Sequence, residues 1–186
     1  MSSFSLMGSN FVKKYGQSLL SLSFNLFGIL AGTLLALNLN VLSLAEWSFM
    51  LFPGILSVRG SIGGVLSARL STALQLGTIR LSFLKNTRRF HIIICTIVLL
   101  TLESSLVLGV FSSFFTTIFL NTSFNDFLAI QSVITATMGL SLLLISPLTY
   151  AISIMSFKQG LNPDVVTYPI ISTVADVLVT LFYVFF

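Results

Sequence analysis

The sequence predicts an all-α integral membrane protein, and three observations carry that class: the composition, the length of the apolar runs and the placement of the basic residues. Of 186 residues, 55% are hydrophobic and 8% are charged, against roughly 25% charged in an ordinary soluble domain. The mean hydropathy is +1.04. Nine Lys and Arg with five Asp and Glu are too few to cover a water-facing surface, which disfavours soluble enzymes and nucleic-acid-binding domains. The net charge of +4 comes without a basic patch interleaved with aromatics, so no nucleic-acid partner is expected, and the basic residues are read as markers of membrane orientation.

A helix that crosses a hydrocarbon core needs roughly 20 mainly apolar residues, and five runs qualify. The first covers Leu19 to Leu39. A short turn around Asn38 and Asn40 leads to the second, which starts near Ala45 or Glu46, continues past Pro53 and ends near Ile79. The third runs from His91 to Leu120, the fourth from Phe127 to Phe157 and the fifth from Val165 to the C-terminus. The N-terminal segment carries Lys13 and Lys14 without an A-x-A-like cleavage pattern after the following apolar run, so that run is read as a retained span. Residues 1–18 are then a cytoplasmic N-terminal segment, and residues 19–186 form one five-span membrane domain with no soluble domain attached.

Charge asymmetry agrees with this count. Lys13, Lys14, Arg80, Lys85, Arg88, Arg89 and Lys158 all fall on one side, whereas the opposite connections hold Asp126 and no Lys or Arg. The positive-inside rule then expects a multi-pass protein of the cell membrane with its N-terminus in the cytoplasm and Phe186 outside. Glu46 and Trp47 read as outer-interface anchors and His91 as an inner one. The sole cysteine, Cys95, rules out an intrachain disulfide and a Cys-cluster metal site. One histidine, and no HExxH, GxSxG or P-loop, leave no basis for an enzyme.

Ionisable groups inside a span are costly and point to function. Asp176 falls about 11 residues into the fifth run, roughly 17 Å from its cytoplasmic end. At 100° per residue, Pro169, Ser172, Thr173, Asp176, Thr180 and Tyr183 share an arc of about 100°. This oxygen-rich stripe suits a hard cation, because magnesium keeps several of its waters and is held through hydroxyls and a carboxylate. Helix packing is the competing explanation, with the hydroxyls bonded to backbone and Asp176 neutralised by an internal partner. In the second run, Gly60, Gly63, Gly64, Ser67 and Ser71 present small residues that admit a close backbone. Arg59 lies deep in the same run and is placed to pair with Asp176 or Glu103.

Two motifs carry a family resemblance. Pro53-Gly-Ile-Leu-Ser-Val-Arg-Gly-Ser-Ile-Gly-Gly-Val-Leu-Ser-Ala-Arg-Leu-Ser-Thr72 resembles the second-span signature of the MgtE-type magnesium transporters, most closely that of their eukaryotic solute-carrier relatives. Asn162-Pro-Asp-Val-Val-Thr-Tyr-Pro-Ile-Ile-Ser-Thr-Val-Ala-Asp176 is similar to the signature opening that family's last span. The resemblance implies an MgtE-like five-span membrane domain that moves a divalent cation, most of all Mg2+. It makes Asp176 the pore carboxylate, sets Gly60 and Ser61 along the path and puts Pro169 and Thr173 in the first turns of the ion-lining helix. Ser61 stands where the family has Asn, and Val165 where it has another. The solute-carrier relatives join two five-span units in one chain, whereas this chain holds one. The expected metal-site residues are therefore Asp176, Thr173, Ser172, Thr180, Gly60 and Ser61. Two copies related by a two-fold axis would balance a divalent ion between two Asp176 side chains, so a homodimer within the lipid bilayer is expected. The competing reading is a non-conducting structural or accessory subunit in which Asp176 is paired to Arg59.

Overall fold

The computed structural model describes residues 15–16, 18–19, 22–24, 26, 28–82, 86–121 and 123–186, the side chain of Phe124 excepted. The described residues fold into helices α1 (Gly28–Leu37), α2 (Leu39–Leu42), α3 (Trp47–Gln75), α4 (Arg88–Leu120), α5 (Phe124–Lys158) and α6 (Pro163–Phe185), with no strand among them. An all-helical chain satisfies its backbone polar groups within each segment, as a hydrocarbon solvent requires. Four of these helices, α3 to α6, are long and apolar enough to cross a membrane. The expected first span is described only in part, through α1 and the neighbouring residues, so the count of five rests on residues that lie partly outside the described ones. Lys13, Lys14 and Lys85 also lie outside them.

The helix ends follow local chemistry, and this moves several expected boundaries. Helix α3 stops at Gln75 rather than near Ile79 because Gly77 adopts φ of 65°. Its N–H donates to Leu74 O at 3.1 Å and that of Thr78 to Ala73 O at 3.0 Å, the paired bonds of a Schellman end. Gly160 (φ 68°) closes α5 in the same way, with Gly160 N–H donating to Phe157 O and Leu161 N–H to Ser156 O. At its other end α5 starts at Phe124, three residues earlier than expected, because Ser123 and Asp126 form a capping box. The Asp126 carboxylate accepts from Ser123 N–H at 2.7 Å. Asn162 caps α6 by accepting from Asp164 N–H, and Pro163 occupies the first turn, where a missing N–H costs nothing. Pro53 sits on an exposed side of α3, and the helix runs on through it.

Helix α3 packs against α4, α5 and α6; α5 also packs on α4 and α6, and α1 lies along α6. The core between them holds Ile55, Leu66, Ile97, Ile134, Met138 and Val179, all essentially inaccessible. Helix α4 is the most outward of the long helices. Its buried side is a stripe of Ile97, Thr101, Ser105, Gly109, Ser113 and Thr116 at three- and four-residue spacing, while Phe111, Phe114, Ile118 and Phe119 face outward. At Gly109 a Cβ would overlap the Gln131 side chain of α5, whose amide donates to Ser105 O at 3.3 Å and Thr135 Oγ1 at 3.1 Å. This close approach of α4 and α5 depends on one glycine.

The connection between α3 and α4 is tied to α5. Tyr150 OH lies 2.9 Å from both Arg80 O and Ser82 O and is bonded by the Asn86 amide. Asn86 Oδ1 accepts from Arg80 N–H and Thr87 N–H, and Thr87 Oγ1 donates to Thr78 O at 2.8 Å.

Candidate cation site

Helix α6 places Asp176 thirteen residues beyond Pro163, roughly 20 Å along a helix that rises 1.5 Å per residue. The side chain is half-buried, and no described residue hydrogen-bonds or ion-pairs its carboxylate. Ser172, one turn earlier, is half-buried as well. The rest of the expected stripe faces another way. Thr173 is buried and its hydroxyl is shared between Pro169 O and Phe24 O, both at 3.0 Å. Thr180 is fully buried and donates to Asp176 O at 2.7 Å. Tyr183 OH, also buried, donates to Ser48 O at 2.7 Å. The structure therefore keeps Ser172 with Asp176 and turns Thr173 and Thr180 into packed protein, where their protons satisfy backbone carbonyls.

Helix α3 meets α6 at Gly64, where a Cβ would stand 3.2 Å from the Tyr168 ring. The two helices run antiparallel, so counting eight residues from this contact sets Asp176 level with Leu56, and Gly60 one turn, about 6 Å, nearer the basic end. A Cβ on Gly60 would meet nothing within 4 Å. Ser61 is exposed and its hydroxyl donates to its own helix at Ser57 O, 3.0 Å away. Gly60 and Ser61 thus meet open space rather than a second helix among the described residues. Among the described residues no three His, Cys, Asp or Glu side chains converge.

Arg59 is 2% exposed, and its Nε, Nη1 and Nη2 have no hydrogen-bond partner among the described residues. The expected pairing with Asp176 is not formed, and neither is one with Glu103. The reason for the second is geometric. The contacts Gly54 to Leu108 and Gly64 to Tyr168 bracket Arg59, setting it level with Glu103 on α4 and Thr173 on α6. Glu103, however, is exposed, on the side of α4 away from the Thr101 and Ser105 stripe that packs inward. The two groups are level along their helices, as pairing would need. The sequence had no signal for the rotation that separates them.

Residues 52–186, well over half of the chain, match the family described as MgtE, divalent cation transporter. The matched stretch takes in α3 from its second turn, all of α4 and α5, and the whole of α6 with Asp176. No curated protein and no solved structure matches the chain. With both signature segments inside the matched stretch and a helical bundle that exposes an unpaired mid-helix carboxylate, the chain belongs to the MgtE family of divalent cation transporters.

Proposed function

We propose that the protein carries Mg2+ across the cell membrane as a homodimer, with one Asp176 from each copy facing a shared path. The observation that carries this reading is the Asp176 carboxylate itself: mid-helix, half-buried and without a partner among the described residues. A lone charge at membrane depth costs several kcal/mol, and a hydrated divalent cation between two copies removes that cost. Ser172 lies on the same side and supplies a hydroxyl for the hydration shell. Gly60 and Ser61, on open surface of α3, form the opposite wall once the second copy is in place. Thr173 ties α6 to Phe24 O, whereas Thr180 bonds the Asp176 carbonyl within its own helix, so in this reading both hydroxyls serve the helix that carries the carboxylate rather than the ion.

In this reading residues 19–186 make five spans, residues 1–18 are cytoplasmic and Phe186 is external. Arg80, Arg88, Arg89 and Lys158 all lie at one end of the bundle, which supports that orientation. The accessory-subunit alternative needs Asp176 locked to Arg59, and Arg59 makes no such bond. Flux of Mg2+, Mn2+ and Ca2+ into proteoliposomes tests the proposal. Transport in the wild type that Asp176→Asn removes, in a protein that stays dimeric and folded, supports it. Absence of divalent flux in a folded wild type, or a monomer that transports, overturns it.

A further inference from the structure

We propose that the cleft between the C-terminal half of α3 and the first turns of α4 is a binding site for an anionic phospholipid, with the phosphate held by Arg69 and Arg89. The cleft has a volume of about 420 Å³, and both arginines line it. Each is exposed, and no described side chain pairs with either. No carboxylate lines the cleft. The one hydroxyl there, on Thr72, is spent on Ala68 O at 2.9 Å. The opening therefore has two unneutralised guanidiniums, groups with planar forks of donors suited to phosphate oxygens.

Depth distinguishes a lipid from a soluble phosphate. Counting along the antiparallel helices from the Gly54 to Leu108 contact puts Arg69 level with Ile93, one turn or about 6 Å deeper than Arg89. The walls beside them are apolar, Ala73, Ile92 and Ile93, with Ile92 54% exposed, and Val65, one turn deeper on α3 than Arg69, is 40% exposed. A free phosphate would gain nothing from these walls, whereas an acyl chain lies along them while its phosphate stays at the arginines. Basic pockets between spans at the inner end are where anionic headgroups are recognised, and each basic group near such a surface is worth about 1 kcal/mol. This site is separate from Asp176 and does not depend on the transport reading.

The test uses the full chain, delipidated in detergent. Binding is read by native mass spectrometry and by the shift in unfolding midpoint on adding phosphatidylglycerol, phosphatidylcholine or inorganic phosphate. The expected result is at least a tenfold preference for phosphatidylglycerol over phosphatidylcholine, no competition from millimolar phosphate, and loss of the preference in R69Q/R89Q. The variant R80Q/R88Q removes the same charge from the same end of the bundle and should keep it. A wild type with no preference, a preference that survives R69Q/R89Q, or one lost equally in both double variants overturns the proposal. Full competition by inorganic phosphate also overturns it and assigns the site to the soluble anion. Should R69Q/R89Q fold poorly, R69K/R89K keeps the charge without the fork and should weaken the preference severalfold; full retention there counts against the guanidinium site.

Discussion

Two helices of this protein each carry one carboxylate at membrane depth, and they treat it differently. On α6, Asp176 is half-buried beside Ser172, on a helix packed against α1, α3 and α5. On α4, Glu103 is exposed on the outer side of the most outward long helix, in a neighbourhood of Leu99, Leu102 and Leu106. A carboxylate facing lipid is least costly when protonated or near a group that hydrates it, whereas one set between packed helices can hold its charge for a ligand. Membrane depth alone is therefore a weak guide to function, and what surrounds the group decides.

The largest expected effect tests that contrast directly. Asp176→Asn should lower divalent flux in proteoliposomes at least tenfold, and Glu103→Gln should leave it within about twofold; the reverse order would move the working carboxylate to α4. Next comes Arg59, whose guanidinium is buried without a partner among the described residues. Burying a charge without a counter-ion costs several kcal/mol, so Arg59→Met should raise or preserve the unfolding midpoint in detergent. A clear fall would show that Arg59 has a counter-ion, and combining Arg59→Met with Asp176→Asn or Glu103→Gln would identify it by non-additivity.

Thr173 joins α6 to Phe24 O, so Thr173→Val should cost about 1 kcal/mol of stability with its flux retained. If flux fell as far as with Asp176→Asn, the hydroxyl would be a ligand and the division of the stripe would be wrong. The smallest effect belongs to Ser61, whose hydroxyl bonds its own helix at open surface. Ser61→Asn should alter the preference among Mg2+, Mn2+ and Ca2+ by a few-fold in a flux or binding assay, and identical selectivity would remove α3 from the path.

The four long helices were legible in the sequence because lipid makes long apolar runs unambiguous, and Asp176 stood out because a charge inside such a run is rare. The ends were less so. Gly77 and Gly160 stop α3 and α5, and the Ser123–Asp126 box starts α5, through local hydrogen bonds that hydropathy does not register. The stripe on α6 was read as one face, yet an arc of about 100° spans both a packed and an open side. Thr173 and Thr180 fall on the first, Asp176 and Ser172 on the second. Which side packs depends on where α1, α3 and α5 lie, and a single helix does not encode that. For the same reason the sequence set Arg59 beside possible partners without showing that they point apart.

The polar knot at Tyr150 has a mechanical meaning. By gripping Arg80, Ser82 and Asn86 it fastens the hairpin between α3 and α4 onto α5, so three of the four long helices share one stiff collar at the basic end. At the opposite end the buried bond from Tyr183 OH to Ser48 O ties α6 to α3, beside the short α2 turn. With α3, α4 and α5 joined at the basic end and α6 joined to α3 at the other, the bundle is held at both rims rather than hinged at one.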